Sequence, residues 1–371
     1  MDADIPYLLL TPGPLTTSRT VRQAMSSDYS TWDIDYNKMV TRVRRSLVAL
    51  ASEQSGYTCT LLQGSGTFAV EATLGSVVPR DGHVLIICNG AYGQRMVQIT
   101  ERLGIAFTAL DFGELAPPRP QAVRDALNAD PSITHVAMVH CETTTGMLNP
   151  ASEIGQVARA QGKIYILDAM SSFGGIPMSM EDTCADFLVS SANKCIQGVP
   201  GFAFVIATEA HMQDIAGRAR SLSLDLHDQW REMEAQAGKW RYTSPTHAVS
   251  AFAQALQELE QEGGVPVRFQ RYCENHKRLV EGMQRIGFAT LLPPTFQSPV
   301  ITSFLFPPHE RFRFDSFYGK MKTRRFVLYP GKVSQADCFR IGTIGHVFPE
   351  DIDLLLSAVT ATLDEMDISL Q

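Results

Sequence analysis

The chain has 371 residues, of which 44% are hydrophobic and 19% are charged. This length exceeds one ordinary domain and predicts two or three, with enough apolar residues for a sizeable core. The formal net charge of −7 argues against nucleic acid as the main partner, because binding its phosphates needs concentrated Lys and Arg.

The cysteines and the apolar runs indicate the cellular setting. Seven cysteines are scattered without Cys-x-x-Cys spacing, so neither a disulfide scaffold nor a zinc site is indicated. A reducing compartment fits this pattern better. Residues 1–10 lack the features of a signal peptide, and no apolar run approaches the roughly 20 residues that span a bilayer. We therefore expect a soluble, cytoplasmic protein.

The first 20 residues, with the sequence Thr-Pro-Gly-Pro at 11–14, are predicted to form an extended arm. Between about residues 58 and 207, short apolar runs alternate with amphipathic helical patterns. The predicted strands are 59–62, 84–88, 135–139, 164–167, 187–189 and 202–206. The predicted helices include 67–78, 93–103, 121–128 and 153–160. This alternation is typical of an α/β fold with a mainly parallel, doubly wound sheet, in which ligands bind at the carboxyl ends of the strands.

The pattern changes after about residue 244. Two long helices are predicted at 247–261 and 267–285, with the sequence Gly-Gly-Val-Pro between them. Short strands at 300–304, 326–329 and 339–341, and a closing helix at 349–366, predict a smaller α+β domain. The predicted organisation is an N-terminal arm (1–20), a large domain (21–262) and a small C-terminal domain (263–371).

Two strand ends carry the residues from which we predict a cofactor site. Asp168 follows the apolar run 164–167, and Lys194 follows the run 187–189. A lysine amine can bind the aldehyde of pyridoxal phosphate, and a carboxylate can keep its pyridine nitrogen protonated. Alone, Lys194 would more commonly be a solvated surface residue, and Asp168 a turn former or helix cap. The lack of any other charged residue from 187 to 202 predicts a pocket, which lowers the pKa of the amine.

Two further motifs are candidates for binding the cofactor. Ser65, Gly66 and Thr67 lie between a predicted strand and a predicted helix, where N–H groups and hydroxyls could hold a phosphate. An ordinary capped turn is the commoner reason for such a sequence. The motif matches neither a Walker loop nor a dinucleotide-binding fingerprint. Tyr92 could stack on the cofactor ring or, equally, pack over the edge of the sheet.

Hydroxyl groups occur at two more predicted element ends. One of the three threonines at 143–145 could bind the cofactor or substrate, or the cluster could be a solvated cap. Thr243 could offer a hydroxyl to phosphate at the start of a long helix. The alternative there is a simple N-cap, which Ser244 could also supply.

Arg340 lies between apolar neighbours on a predicted strand, where a guanidinium is costly to bury without an anion. Its planar fork suits a substrate carboxylate, and a structural ion pair with Asp337 or Glu350 is the alternative. Cys195 and Cys338 lie near these motifs and suggest a desulfurase, but small buried hydrophobic residues are the commoner explanation.

In this order, the motifs resemble those of fold-type I pyridoxal phosphate enzymes, in the small aminotransferase subgroup that includes alanine–glyoxylate and serine–pyruvate transaminases. The closer similarity is to the 2-aminoethylphosphonate–pyruvate transaminase family, and it covers nearly the whole chain. The matching segments are 8–17, 61–67, 89–93, 141–146, 168–174, 191–195, 221–226 and 329–332 continuing through Arg340.

The resemblance implies roles that the residues alone do not. Lys194 would bind the cofactor covalently, Asp168 would pair with the pyridinium nitrogen, and Arg340 would anchor substrate anions. The implied cofactor contacts are Ser65, Gly66, Thr67, Tyr92, Thr143, Asp168, Ser191, Lys194 and, from the partner subunit of a homodimer, Thr243.

The implied reaction moves the amino group of 2-aminoethylphosphonate to pyruvate and gives phosphonoacetaldehyde and L-alanine. The first alternative is an alanine–glyoxylate or serine transaminase. A second is a non-catalytic member of the fold used for binding or regulation. A third, a nucleotide-dependent α/β enzyme, is weakened by the missing phosphate-binding fingerprints.

Overall fold

A computed structural model describes residues 5–331 and 333–370. Lys332, in the motif at 329–332, and the first four residues of the predicted arm lie outside this part. The strands are β1 (Leu8–Leu9), β2 (Tyr57–Gln63), β3 (His83–Cys88), β4 (Ala106–Asp111), β5 (His135–Val139), β6 (Cys141–Glu142), β7 (Met147–Leu148), β8 (Ile164–Asp168), β9 (Phe187–Ser191), β10 (Phe202–Thr208), β11 (Ile301–Leu305), β12 (Phe326–Val327), β13 (Tyr329–Pro330) and β14 (Cys338–Gly342).

The helices are α1 (Arg19–Ala24), α2 (Ile34–Ala51), α3 (Gly66–Val77), α4 (Ala91–Arg102), α5 (Pro120–Ala129), α6 (Ala151–Ala160), α7 (Met180–Thr183), α8 (Glu209–Asp214), α9 (Leu226–Ala235), α10 (Thr246–Glu262), α11 (Gly264–Ile286), α12 (Phe314–Thr323) and α13 (Pro349–Glu365). None of these described helices is both long and apolar enough to cross a bilayer.

A seven-stranded sheet forms the centre of the fold, in the order β2-β10-β9-β8-β5-β3-β4. The strands from β9 to β4 pair in parallel, and β10 is antiparallel to both of its neighbours. This confirms the predicted α/β fold with a mainly parallel sheet. Six of the seven strands match predicted strands. The seventh, β4, was not predicted, because it lies at the sheet edge and most of its side chains are exposed or half-buried.

Helices cover both faces of this sheet, because successive side chains of a strand point to opposite sides. On β3, Leu85 and Ile87 pack into one hydrophobic cluster with side chains of α2, α5, α6 and α10. Val84 and Ile86 pack into a second cluster with side chains of α3 and α4. The two-sided burial explains why the strands are continuous apolar runs.

The C-terminal part forms its own antiparallel sheet, β11-β14-β13. The predicted break between the two long helices is confirmed only at Gly263, whose φ of +107° ends α10, because α11 begins at Gly264 and not at 267. At the N-terminus, β1 pairs in parallel with β12, and Leu8 and Leu10 pack with Phe326 and Leu328. Leu8 and Leu9 are therefore extended, and this part of the chain packs against the C-terminal part.

Candidate active site

The carboxyl ends of two neighbouring strands position the central residues of the site. Asp168 is the last residue of β8, Ser191 is the last residue of β9, and the turn that follows β9 carries Lys194. A cavity of about 180 Å³ lies at this edge of the sheet. The predicted site residues that line it together are Ser65, Gly66, Thr67, Tyr92, Asp168, Ser191 and Lys194.

Lys194 is not a solvated surface residue. Its Nζ donates a hydrogen bond of 2.8 Å to the carbonyl of Pro12, in the N-terminal arm. A side chain at position 13 has no room, because a Cβ on Gly13 would lie 2.7 Å from Lys194 Nζ. Burial lowers the pKa of the Lys194 amine to about 8, since the charged form loses hydration. About a tenth of the amine is therefore unprotonated, and so nucleophilic, at pH 7, and about half is unprotonated near pH 8.

Asp168 is buried, with 6% of its surface exposed. One carboxylate oxygen accepts a 2.9 Å hydrogen bond from the backbone N–H of Met170, so Asp168 also forms the turn that its position suggests. Burial is the main reason that its pKa rises to about 6; nearby Lys194 and Arg95 lower the pKa and Glu142 raises it. A cationic ring nitrogen in the cavity would favour the ionised carboxylate.

The start of α3 forms the second wall of the cavity. Ser65 is the N-cap residue, but its side chain makes no capping hydrogen bond, so the sequence does not fold as an ordinary side-chain-capped turn. The first N–H groups of a helix have no partners within the helix and attract anions. Gly66 lets the Met170 side chain lie close to the helix start, because a Cβ there would lie 2.3 Å from Met170 Sδ. The uncapped start of α3 suits the phosphate of a cofactor.

Tyr92 and Arg95 form a third wall, from the first turns of α4. The guanidinium of Arg95 lies over the Tyr92 ring, 4.9 Å from its centroid, and Nη1 donates a 3.1 Å hydrogen bond to Thr67 Oγ1. Arg95 was not among the predicted site residues. Its spacing three positions after Tyr92 was the available signal, since residues i and i+3 share a helix face.

The segment after β5 contains a buried acid that was also not predicted. Glu142 accepts hydrogen bonds from the backbone N–H groups of Tyr92 and Gly93, at 3.2 and 3.3 Å, and from the Thr144 hydroxyl. Burial raises the pKa of Glu142. Its attachment to the start of α4 fixes this segment against the helix that carries Tyr92.

These contacts distinguish the three threonines at 143–145. The Thr144 hydroxyl is bound to Glu142 and accepts from the N–H of Ala91 at 2.9 Å, and the Thr145 hydroxyl points at the Glu142 carbonyl at 3.5 Å. Thr143 is buried, and none of the side-chain hydrogen bonds found within residues 5–331 and 333–370 uses its hydroxyl. Of the three threonines, Thr143 therefore has the hydroxyl with the fewest hydrogen bonds to described protein groups.

Arg340 lies on β14 with 2% of its surface exposed. It donates to the carbonyls of Pro330 at 3.0 Å and Thr143 at 2.6 Å, and it lies over the Tyr329 ring. No ion pair among the described residues involves Arg340, so the alternative of a structural pair with a nearby carboxylate is not realised there. Burial lowers the pKa of this guanidinium. A buried cation held only by neutral groups is a natural anchor for an anion.

The last two predicted residues differ in their surroundings. Ser191 Oγ is buried and has no hydrogen-bond partner in the described part of the chain. Thr243 is exposed and does not line the cavity of its own chain. Helix α10 begins at Thr246 without a side-chain cap, and Ser244 Oγ is bonded to Tyr36 Oη instead, so the N-cap alternative is not realised.

The sequence matches a known protein family over most of its length. The family model described as aminotransferase class-V matches residues 19–320. The chain belongs to the class-V aminotransferase family. It is 61% identical over 353 residues to a 2-aminoethylphosphonate–pyruvate transaminase of Syntrophobacter fumaroxidans, which covers 95% of each chain. It is 59% identical to proteins of that name from Vibrio cholerae, over 95% of this chain and 96% of the relative, and from Salmonella agona, over 96% and 98%.

Solved structures show that this aminotransferase has the expected fold. Ureidoglycine–glyoxylate aminotransferase from Bacillus subtilis superposes with a TM-score of 0.91 at 22% identity, over 100% of this chain and 96% of the other. Pyridoxamine–pyruvate aminotransferase from Mesorhizobium loti superposes with a TM-score of 0.90 at 22% identity, over 100% and 95%. The predicted fold-type I architecture is confirmed.

The residues of this aminotransferase fit pyridoxal phosphate, the cofactor that the family implies. The cavity joins a partly unprotonated amine on Lys194 to the buried carboxyl of Asp168. The uncapped start of α3 offers donors for a phosphate. The buried, unpartnered hydroxyl of Ser191 points to a group that the protein itself does not supply.

Proposed function

We propose that this chain is a pyridoxal 5′-phosphate-dependent transaminase that moves the amino group of 2-aminoethylphosphonate to pyruvate, giving phosphonoacetaldehyde and L-alanine. The observation that carries the proposal is the pairing of Lys194, with a pKa near 8, and buried Asp168 in one cavity. The substrate assignment is supported by relatives of that name at 59–61% identity over nearly the full length of both chains.

Four groups of residues would hold the cofactor. Lys194 would bind its aldehyde, Asp168 would face its ring nitrogen, and Tyr92 would cover one face of its ring. The start of α3, with the hydroxyls of Ser65 and Thr67, would bind its phosphate. When bound, pyridoxal phosphate supplies a conjugated ring that accepts the electron pair left when the donor's amino-bearing carbon loses a proton.

Lys194 serves as the general base for that proton. The amino-bearing carbon of the donor must lie within reach of Nζ, and a pKa near 8 suits a group that takes up and releases a proton near neutral pH. The carbonyl of Pro12 accepts a hydrogen bond from Nζ and limits the positions that Nζ can adopt. Asp168 would stay ionised opposite the cationic ring nitrogen and would keep that nitrogen protonated.

Arg340 serves as the anchor for the anionic end of both substrates. Its guanidinium is almost fully buried, and its two hydrogen bonds to carbonyls leave further N–H donors free for an oxyanion. A phosphonate and a carboxylate both accept paired hydrogen bonds from a planar fork. One anchor can therefore serve the phosphonate donor in one half-reaction and pyruvate in the other.

The active form is proposed to be a homodimer. Thr243 is exposed and outside the cavity of its own chain, so its implied contact with the cofactor phosphate needs a second subunit. Its neighbour Tyr242 is half-exposed on the same segment. A cytoplasmic site of action is supported by the seven cysteines, which are all free thiols.

A donor panel tests the substrate assignment. The purified holoenzyme is supplied with pyruvate and, in turn, with 2-aminoethylphosphonate, serine or glutamate, and alanine formation is measured. Alanine with glyoxylate is tested in parallel. The proposal predicts the highest kcat/KM for 2-aminoethylphosphonate. A preference for alanine with glyoxylate, or for serine, would indicate an alanine–glyoxylate or serine–pyruvate transaminase. Cofactor binding without turnover of any donor would indicate a non-catalytic binding protein.

A further inference from the structure

The turn that carries Lys194 is held from outside the large sheet by helix α11. Tyr272 Oη donates a 3.0 Å hydrogen bond to the carbonyl of Cys195, the residue after Lys194. Arg268 Nη1 donates to the same carbonyl at 3.1 Å and to that of Ile196 at 3.3 Å. Both side chains are buried, with 0% and 2% of their surface exposed.

The same turn contains a strained backbone. The N–H of Gln197 closes the turn on the carbonyl of Lys194 at 2.8 Å, and Gln197 has a φ of +70°, which is unfavourable for a residue with a Cβ. Its side-chain amide donates a 2.8 Å hydrogen bond to Tyr272 Oη. Such a conformation persists only where the surroundings determine it strongly, and Tyr272 is one of those surroundings.

A partly buried cluster of ion pairs holds the helix end of this arrangement. Glu262, at the end of α10, accepts from Arg268 and also from Arg271. Arg271 in turn donates to the carbonyls of Gly345 and Val347, in the segment that follows β14. Glu262 therefore links Arg268, which holds the Lys194 turn, to Arg271, which holds the segment after β14. Strand β14 carries Arg340.

We propose that Tyr272 and Arg268 are positioning residues that hold the backbone of the Lys194 turn fixed while the lysine side chain moves during transamination. Lys194 must form a bond, release it and carry a proton, so its side chain changes position while its point of attachment cannot. The proposal rests on the function proposed above. It assigns a role in the reaction to residues that touch neither cofactor nor substrate.

Three variants test the proposal. Tyr272→Phe deletes only the hydroxyl that holds Cys195 and accepts from Gln197. Gln197→Gly removes the amide contact and lets the backbone adopt a positive φ without strain. Tyr165→Phe is the matched control, because Tyr165 is also fully buried, and its hydroxyl has no hydrogen-bond partner in the described part of the chain.

The measurements separate positioning from stability. We expect kcat to fall about tenfold in both turn variants, with KM for both substrates within about twofold of the wild type, because a small misplacement of a reacting group mainly slows the chemical step. The rate at which the apoprotein captures pyridoxal phosphate should fall as well. The thermal unfolding midpoint of Gln197→Gly should change little, because relief of the backbone strain offsets the lost amide hydrogen bond.

The outcomes are distinct. Unchanged kcat and capture rate in folded Tyr272→Phe and Gln197→Gly proteins would overturn the proposal. Decreases in kcat and capture rate that match those of Tyr165→Phe, or that accompany a lowered unfolding midpoint, would also overturn it, since they indicate a purely structural role. If Tyr272→Phe does not fold, Gln197→Gly decides. If the wild type transaminates no donor, the proposed function fails, and the capture rate alone tests the positioning.

Discussion

Replacing Arg340 with glutamine is expected to weaken the use of both substrates. The guanidinium has five N–H donors. Two of them bind the carbonyls of Pro330 and Thr143, which leaves three for an anion. Losing two charge-assisted hydrogen bonds, at about 1.5–3 kcal/mol each, removes about 3–6 kcal/mol of transition-state binding. At about 1.4 kcal/mol per factor of ten, kcat/KM should fall by about 10²- to 10⁴-fold.

The assay measures kcat/KM for 2-aminoethylphosphonate at saturating pyruvate and for pyruvate at saturating donor. Arg44→Gln is the control, because Arg44 is also buried but binds the Cys59 carbonyl and Glu234, away from the cavity. It should lower the thermal unfolding midpoint and leave kcat/KM unchanged. Unchanged kcat/KM for both substrates in Arg340→Gln, or equal losses in the two variants, would refute the anchoring role.

Three further perturbations test the electrostatics of the cavity. Capture of pyridoxal phosphate by the apoprotein should speed up as pH rises and level off above a midpoint near 8, since only the unprotonated Lys194 amine reacts; a pH-independent rate would contradict this. Asp168→Asn should abolish transamination yet stabilise the apoprotein at neutral pH by up to about 3 kcal/mol, at about 1.36 kcal/mol per pKa unit. The reason is that the Asp168 carboxyl has a pKa of about 6 in the folded chain, against 3.8 in the unfolded chain. Keeping this carboxyl ionised therefore lowers the free energy of unfolding at pH values above both pKa values, and this loss of stability disappears at pH values below both. A lower unfolding midpoint of Asp168→Asn in calorimetry would argue against this reason. Arg95→Met should weaken binding of pyridoxal phosphate more than binding of pyridoxal, because Thr67 loses its donor. Arg102→Met is the control, because Arg102 lies on the same helix and is exposed. If Arg95→Met weakened the binding of pyridoxal phosphate and of pyridoxal equally, a role of Arg95 at the phosphate would be excluded.

The fold was predictable where burial leaves a continuous signal in the sequence. The strands buried on both faces are apolar runs, and six of them could be located from those runs alone. The edge strand β4 has one neighbour and many exposed side chains, so its sequence lacks that signal. Helix α2 was not predicted, although its sequence has a usable signal: Tyr36, Val40, Val43 and Leu47 recur at helical spacing and are buried.

The candidate site was predictable where its residues lie in short local motifs. Residues at strand ends and helix starts, such as Asp168 and Lys194, occur in short motifs whose place in the fold follows from the elements around them. Arg268 and Tyr272 lie on a long helix that looks like an ordinary amphipathic segment, and only tertiary packing brings them to the Lys194 turn. Thr243 stays a prediction, because the contact between subunits that is proposed for it would leave no mark on the packing of one chain.

Covalent attachment of the cofactor to Lys194 is the central claim, and reductive trapping tests it most directly. Freshly purified holoprotein is treated with borohydride, digested and analysed by peptide mass mapping, with Lys194→Ala treated in parallel. We expect a phosphopyridoxyl mass on the peptide that contains Lys194, and none in the variant. A label on another lysine, or an unlabelled Lys194 peptide from yellow protein, would contradict it.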